Sequence, residues 1–395
     1  MGFRRIWAAS AASSLGDGAL LAAGPLLVAS KTHDPFLVAL ATFAQQLPWL
    51  LFSVLAGAYV DRLDRRRLLM AMHALRAAAI GGLAVAVAVH ADGLGVIYGS
   101  LFLLGTGDTV ARNAEMSLVP ALVPGGELSA ANARLFGTST LGSQLAGPPL
   151  GAYLFAVALA LPFGLDAASF VAAAMLVAGV RAVPPARAEH ARSLVREVGE
   201  GLRWLWEQRA LRLLALCICA MNVTFEAAMA IYVLYARERL GLGAVGYGVL
   251  LTVSAAGGVL GTGFVTRLER RFGASQLLRV GLCLEAATHL GLALTRSAWV
   301  AGAIMAVFGV HALVWSVVTL SLRQRLVPDR LLGRVNGVYY LFSVGGAAVG
   351  AVVGGAIARG FGITAPFWMG AALVGLLAAV TWRRFRDDLA VSALP

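Results

Sequence analysis

The chain has 395 residues, 59% of them apolar and only 13% charged, with a mean hydropathy of +0.80. Soluble domains carry about 25% charge, so this composition excludes a soluble globular fold. The net charge of +12 resides on arginines scattered among short loops, which excludes a nucleic-acid-binding face. The apolar runs are long enough to cross a hydrocarbon layer roughly 30 Å thick. Backbone groups in lipid must be satisfied within their own segment, so the fold class is an all-α polytopic membrane protein.

Twelve transmembrane helices are predicted, at 6–29, 36–59, 68–90, 95–113, 135–156, 160–180, 211–235, 245–265, 276–294, 298–322, 335–358 and 364–382. The first lacks a small-residue cleavage site and reads as a retained span. With both termini in the cytoplasm, 26 basic residues fall on that side and five on the other, namely Lys31, Arg237, Arg239, Arg296 and Arg359. Arg76 falls within the third span. This asymmetry fixes the orientation by the positive-inside rule. A single lysine against 31 arginines points to a GC-rich bacterial genome and hence to the cytoplasmic membrane. Cys217, Cys219 and Cys283 all lie in apolar spans and form neither a disulfide framework nor a metal spacing. No metal or cofactor is expected.

Between spans two and three the run 57–67 places Asp61 and Asp64 beside Arg62, Arg65, Arg66 and Arg67, a compact cytoplasmic turn that orients the chain. Between spans six and seven lies a longer polar segment that opens with Pro184 and Pro185. Leu194, Val198, Leu202 and Leu205 recur there at helical spacing beside Trp204 and Trp206, the pattern of a helix lying in the membrane interface. The segment divides the chain into a six-helix bundle at 1–180, a cytoplasmic linker at 181–210 and a second six-helix bundle at 211–395.

The two halves repeat. Leu122, Val123, Pro124 and Asn132 recur as Leu326, Val327, Pro328 and Asn336 at an offset of 204. The basic turn recurs around Thr266 to Arg271 at an offset of 205, with Thr266 in place of Asp61. Coincident offsets in corresponding loops indicate duplication, and paired six-span repeats are a secondary-transporter architecture.

Three motifs give the chain a resemblance to the major facilitator superfamily over its whole length. The 57–67 turn matches G-x-x-x-D-R-x-x-R-R. Gly147, Pro148 and Gly151 in span five resemble the G-P-x-x-G of drug exporters, with Gly142 and Ser143 upstream. The run at 118–124 with Asn132 is similar to the macrolide-efflux and enterobactin-exporter-like branch. The R-x-x-Q-G motif that many proton-coupled members carry in span four is replaced here by residues 101–105, Leu-Phe-Leu-Leu-Gly. The resemblance implies that Gly57, Asp61, Arg62, Arg65 and Arg66 form a conformational latch. In it Asp61 accepts hydrogen bonds from a helix N-terminus, and the arginines pair with acids or lipid phosphates. Gly147, Pro148 and Gly151 then serve helix packing in a bendable span.

An ionisable side chain at bilayer depth costs about 3 kcal/mol on insertion scales, so each such residue is a functional candidate. Asp17 lies mid-span in the first helix with Ser10, Ser13, Ser14 and Gly24 on its face, and Glu226 lies in the seventh with Asn222 and Cys219. Burial disfavours their charged forms, so both are candidate proton-coupling acids. With no span-four arginine, these acids are expected to carry coupling without an arginine partner. Gln45, Asp108, Arg112, Asn222, His311, Trp315 and Tyr339 form the candidate substrate-cavity set, with Tyr340 as an alternative to Tyr339. Asp108 and Arg112 are one turn apart and neutralise each other, as do Glu285 and His289 in the ninth span. Asp166, near the start of span six, reads as a helix-end acceptor.

The residues offer no Walker loop, zinc spacing or nucleophile triad. The expectation is therefore a non-enzymatic, monomeric secondary transporter: a proton-coupled exporter of amphipathic small molecules, in contact with membrane lipids and working by alternating access. Uptake symport and lysolipid movement remain open alternatives, as does a non-transporting membrane receptor or membrane-embedded enzyme.

Overall fold

The computed structural model describes residues 2–60, 63–180 and 194–391, without the side chains of 53–60, 194–197, 329 and 386–391. Asp61 and Arg62 lie outside the described residues, and so does most of the linker ahead of residue 194. Among the described residues the fold is helical throughout. The elements are α1 (Gly2–Lys31), α2 (Pro35–Val60), α3 (Arg65–Ala88), α4 (Leu94–Leu118), α5 (Leu128–Thr140), α6 (Gly147–Val157), α7 (Leu161–Ala178) and α8 (Leu194–Glu207). They continue with α9 (Arg209–Met229), α10 (Tyr232–Leu234), α11 (Ala244–Gly261), α12 (Val265–Leu294), α13 (Ala298–Leu326), α14 (Asp329–Phe361) and α15 (Ala365–Val391).

Eleven of these helices are long and apolar enough to span a membrane. The twelfth span is α5 and α6 joined by a π-helical stretch, Leu141–Ala146. There the sequence reading of one bendable helix at 135–156 gives way to two helices with a widened turn between them. Ahead of span nine, predicted at 276–294, α12 is broken at Gly273, whose φ of +72° only glycine adopts without strain. Span seven ends in the short α10 and a second π-helical stretch, Tyr235–Arg239. There Arg239 Nε donates to the Thr295 carbonyl at 3.1 Å and its Nη2 to the Ala293 carbonyl at 3.1 Å, which places a cation on the C-terminus of α12.

The chain divides into two compact units. The first comprises Met1–His33, Leu40–Ala191 and Leu242–Thr252; the second comprises Asp34–Ala39, Arg192–Gly241 and Val253–Pro395. In the first, α7 packs on α1 and α3, α4 on α3, and α6 on α1. An apolar core of Ile6, Leu69, Ala114, Leu118 and Val177 closes one end of it. Small residues set the approach of α1 to span five. A Cβ added at Gly147 would meet the backbone of Gly18 at 2.6 Å, and one at Gly151 would meet the Ala19 backbone at 2.5 Å.

The basic turn is tied into this unit. Asp64 caps α3 by accepting from Arg66 N at 3.0 Å and Arg67 N at 3.2 Å. Arg65 Nη1 donates to the Ser117 carbonyl at 3.1 Å, and Arg66 donates to the Val177 and Ala178 carbonyls. The sequence reading gave these arginines acids or lipid phosphates as partners. Among the described residues their partners include carbonyls at the ends of α4 and α7, where the helix dipole favours a cation.

In the second unit α14 packs on α9, α15 on α12 and α9, and α13 on α12. Its core joins Leu214, Leu278, Leu282, Trp315, Val318 and Val374. The amphipathic α8 lies on α14, where Arg334 Nη1 donates to Glu200 Oε2 at 2.7 Å.

Candidate functional site

The first unit buries a charge cluster among apolar helices. Arg76 on α3 is 3% exposed, and its Nη2 lies 2.5 Å from Asp17 Oδ1 of α1 and 3.4 Å from Asp108 Oδ1 of α4. Arg112, one turn beyond Asp108, donates from Nε to Asp108 Oδ2 at 2.9 Å. The Trp49 indole of α2 hydrogen-bonds the same carboxylate. The guanidinium of Arg76 rests 4.0 Å above the Phe170 ring of α7, and His73, one turn before it, stacks on that ring. Phe170 thus supports the guanidinium from the face that makes no ion pair.

Two glycines make this assembly possible. A Cβ at Gly107 would meet Arg76 Cδ at 3.1 Å, so only glycine lets the arginine stem cross α4. A Cβ at Gly16 would meet the Cα of Asp166 at 3.0 Å, so α7 can approach α1 closely there. Each of these glycines directly precedes a cluster acid, as Gly16-Asp17 and Gly107-Asp108.

Several expectations are corrected here. Asp17 has an arginine partner, Arg76 of α3, although the motif arginine of span four is absent. The available signal was Arg76 itself, an intramembrane cation as costly to bury as the acids, and its role was missed because span three carries no motif. Asp166 does not cap a helix end. The residue preceding α7 is Ala160, whereas Asp166 is fully buried and its Oδ1 lies 3.3 Å from the Ser169 hydroxyl that donates to it. Gln45 is partly buried on α2, with its carbonyl facing Gly105 of α4.

The second unit places Glu226 half-buried on α9, one turn from Asn222. Asn222 Nδ2 donates to the Ile218 carbonyl of its own helix at 2.8 Å. His311 and Trp315 of α13 meet edge to face with ring centroids 6.1 Å apart, and both are buried. The closer partner of Glu285 is His311, with Oε2 and Nε2 3.1 Å apart, while His289 stands 3.8 Å from the other carboxylate oxygen. The sequence reading paired Glu285 with His289 within one helix. Packing of α13 on α12 brings in a nearer imidazole. Tyr339 of α14 is buried beneath Arg323, whose guanidinium lies 3.6 Å from its ring centroid. Asp17, Asp108 and Arg112 are therefore gathered into one cluster, whereas Glu226, Asn222, His311, Trp315 and Tyr339 are distributed over three helices.

Comparison with known proteins agrees with the transporter architecture. The chain matches the family model described as transmembrane secretion effector over residues 1–389. It is 27% identical over 407 residues to the enterobactin exporter EntS of Shigella boydii serotype 4 (strain Sb227), covering 98% of this chain and 93% of that one. It is also 27% identical over 383 residues to the multidrug efflux pump Tap of Mycolicibacterium fortuitum, covering 91% and 90%. Among solved structures, the nucleoside transporter NupG superposes with a TM-score of 0.77 at 11% identity, over 98% of this chain and 99% of that one. A bacterial homologue of the iron transporter ferroportin, in an inward-facing state, superposes with a TM-score of 0.74 at 19% identity, over 98% of both chains. These structural likenesses establish a shared fold. A non-enzymatic, multi-pass membrane protein of twelve spans, the chain belongs to the transmembrane secretion effector family of major facilitator transporters.

Proposed function

We propose that the protein is a proton-coupled exporter of amphipathic small molecules in the bacterial cytoplasmic membrane. It works as a monomer by alternating access, with both termini in the cytoplasm. The observation that carries this reading is the Asp17–Arg76–Asp108 cluster, a set of ionisable groups held within apolar helices of a chain whose relatives bear the names of exporters. An acid that exchanges partners at this depth can alternate between a proton and a cationic cargo. Asp17 and Glu226 are the coupling acids in this reading. Gln45, Asp108, Arg112, Asn222, His311, Trp315 and Tyr339 are the cargo-contacting set.

The test is transport by purified protein in liposomes with an imposed pH gradient and an amphipathic cationic dye. Dye movement against its own gradient, driven by protons moving the other way, is expected. Movement of dye and protons in the same direction would make the protein an uptake symporter, and movement indifferent to the pH gradient would remove proton coupling. Asp17→Asn and Glu226→Gln should each abolish gradient-driven transport and leave downhill exchange. The latch reading of Gly57, Asp61, Arg62, Arg65 and Arg66 belongs to the same proposal. Asp61→Asn should shift cysteine labelling from one mouth of the transporter to the other, and unchanged labelling would remove the latch.

A further inference from the structure

Four carboxyl groups converge on two guanidinium groups within the first unit: Asp17, Asp108, Glu115 and Asp166 against Arg76 and Arg112. With every group ionised the cluster would carry excess negative charge in a low-dielectric interior, where an uncompensated carboxylate is far more costly than a neutral acid. Three of the acids are accounted for. Asp17 holds Arg76, Asp108 holds both arginines, and Glu115 is hydrogen-bonded to Ser10 and is only partly buried.

Asp166 is the exception. It is 0% exposed, its Oδ1 receives one long hydroxyl bond from Ser169, and its Oδ2 has no hydrogen-bond partner. The groups that act on it from neighbouring helices are Asp17 of α1, Arg76 of α3 and Asp108 of α4, while His73 of α3 stacks on Phe170, one turn along α7. The other helix packed on α7 is α6, whose titratable side chain, Tyr153, is exposed. Arg76 also retains an unsatisfied buried atom, its Nε, and its guanidinium sits on Phe170, one turn from Asp166 on the same helix. A buried acceptor on α7 and a buried donor on α3 are thus both unused, and the guanidinium that carries the donor rests on a ring one turn from the acceptor.

We propose that Asp166 is a proton-binding site, neutral while Arg76 is engaged with Asp17 and Asp108, and that its deprotonation draws the guanidinium from Asp17. The O–H bond at Asp166 Oδ2 breaks, its electron pair stays on the carboxylate, and the proton passes to water on the side to which the transporter is open. The carboxylate left behind is compensated by Arg76, and Asp17 becomes free to take a proton or a cationic cargo. One positive charge is thus exchanged for another and the cluster keeps its net charge. This deepens the proton-coupled reading above and rests on it for its transport consequence, but the protonation state itself is independent of transport.

The experiment is infrared difference spectroscopy of the full-length protein in lipid, reading the carbonyl stretch of protonated carboxyl groups between pH 5 and pH 9. Wild type is expected to show a protonated-carboxyl band that is lost in Asp166→Asn and kept in Asp17→Asn. A band lost in Asp17→Asn and kept in Asp166→Asn, or no such band at any pH, would overturn the assignment. Should Asp166→Asn not yield folded protein, Asp17→Asn, Asp108→Asn, Glu115→Gln, Glu226→Gln and Glu285→Gln assign the band by elimination. Its survival in all five supports Asp166, and its loss in any one overturns it. In liposomes, Asp166→Asn should lose pH-gradient-driven transport while Ser169→Ala keeps it; full gradient-driven transport by Asp166→Asn would overturn the coupling role. A band assigned to Asp166 in a protein that shows no proton coupling would sink the proton-coupled reading and leave the proton site standing.

Discussion

Replacing Arg76 by methionine keeps most of the side-chain volume but removes the cation at the centre of the first unit. The consequences for its two acids differ. Asp108 retains Arg112 at 2.9 Å, whereas Asp17 has no other ion pair among the described residues. The loss therefore falls on Asp17, and breaking a buried pair on one side costs about 3–5 kcal/mol because the remaining charge is uncompensated. Neutralising that charge should recover much of the loss: the double variant Arg76→Met with Asp17→Asn should be more stable than Arg76→Met alone. Coupling between contacting residues runs to about 0.5–3 kcal/mol, and this pair, with its arginine 3% exposed, belongs near the upper end. The assay is unfolding in mixed micelles by graded denaturing detergent, arranged as a double-mutant cycle. Arg76→Met as stable as wild type, or additive effects of the two substitutions, would refute the ion-pair account of the cluster.

Other expectations rest on separate features. Gly151→Val would drive side-chain atoms into the Ala19 backbone, which the helix cannot yield as a flexible side chain would. Overpacking costs about 1–3 kcal/mol or more, so the folded fraction on fluorescence-detected size exclusion should fall, while Gly164→Ala, in open space, should leave it unchanged. Arg239→Ala removes charged hydrogen bonds to the carbonyls of Ala293 and Thr295. At a half-exposed site this should lower stability by about 1 kcal/mol, read as an earlier detergent midpoint. Glu285→Ala strands the buried His311 Nε2 and should cost about 1–3 kcal/mol. Adding His311→Phe should restore part of it, and a further loss in that double variant would count against the pairing.

The twelve spans were legible because lipid removes alternatives: each run of apolar residues had to be a helix, and the observed helices overlap every predicted one. What was not legible follows from how the cluster is built. Its central cation lies in a helix without a motif, and its geometry depends on Gly16 and Gly107, whose role is to be absent where another chain passes. A glycine in an apolar span carries no periodicity signal that separates close approach from ordinary composition. The π-helical turn at Leu141–Ala146 was hidden for a similar reason. Gly142, Gly147 and Pro148 announced a weak helix but not which register the backbone would take. Glu285 was assigned to its neighbour in sequence, His289, because helical spacing reports only partners on the same helix. His311, 26 residues away, required the packing of α13 on α12.

The duplication explains why the two units carry different chemistry on one scaffold. In the first, α3 packs on α4 and α7; in the second, α12 packs on α13 and α15 in the same pattern. Carried forward by the 205-residue offset of the basic turn, Arg76 falls on Gly281. Carried by the 204-residue offset of the Leu-Val-Pro loop, Asp166 falls on Gly370. Both glycines house imidazoles: a Cβ at Gly281 would meet His311 at 2.9 Å, and one at Gly370 would meet His289 at 2.7 Å. Where the first unit places a guanidinium and a carboxyl, the second has removed the side chain and filled the space from a neighbouring position with a histidine. Glu285 lies one turn from Gly281 and binds the ring that fills it. The cluster in the first unit thus sets four carboxyl groups against two guanidinium groups and must take up a cation or a proton to balance them, whereas a single carboxylate between two imidazoles can balance itself. Of these two related sites, proton-linked chemistry is accordingly expected at the first-unit cluster and not at Glu285, with Glu226 a separate acid of the second unit. Glu285→Gln should therefore leave pH-gradient-driven transport largely intact, and neutralising Asp17 and Asp166 together should not. Equal loss from both variants would show that duplication preserved the chemistry as well as the scaffold.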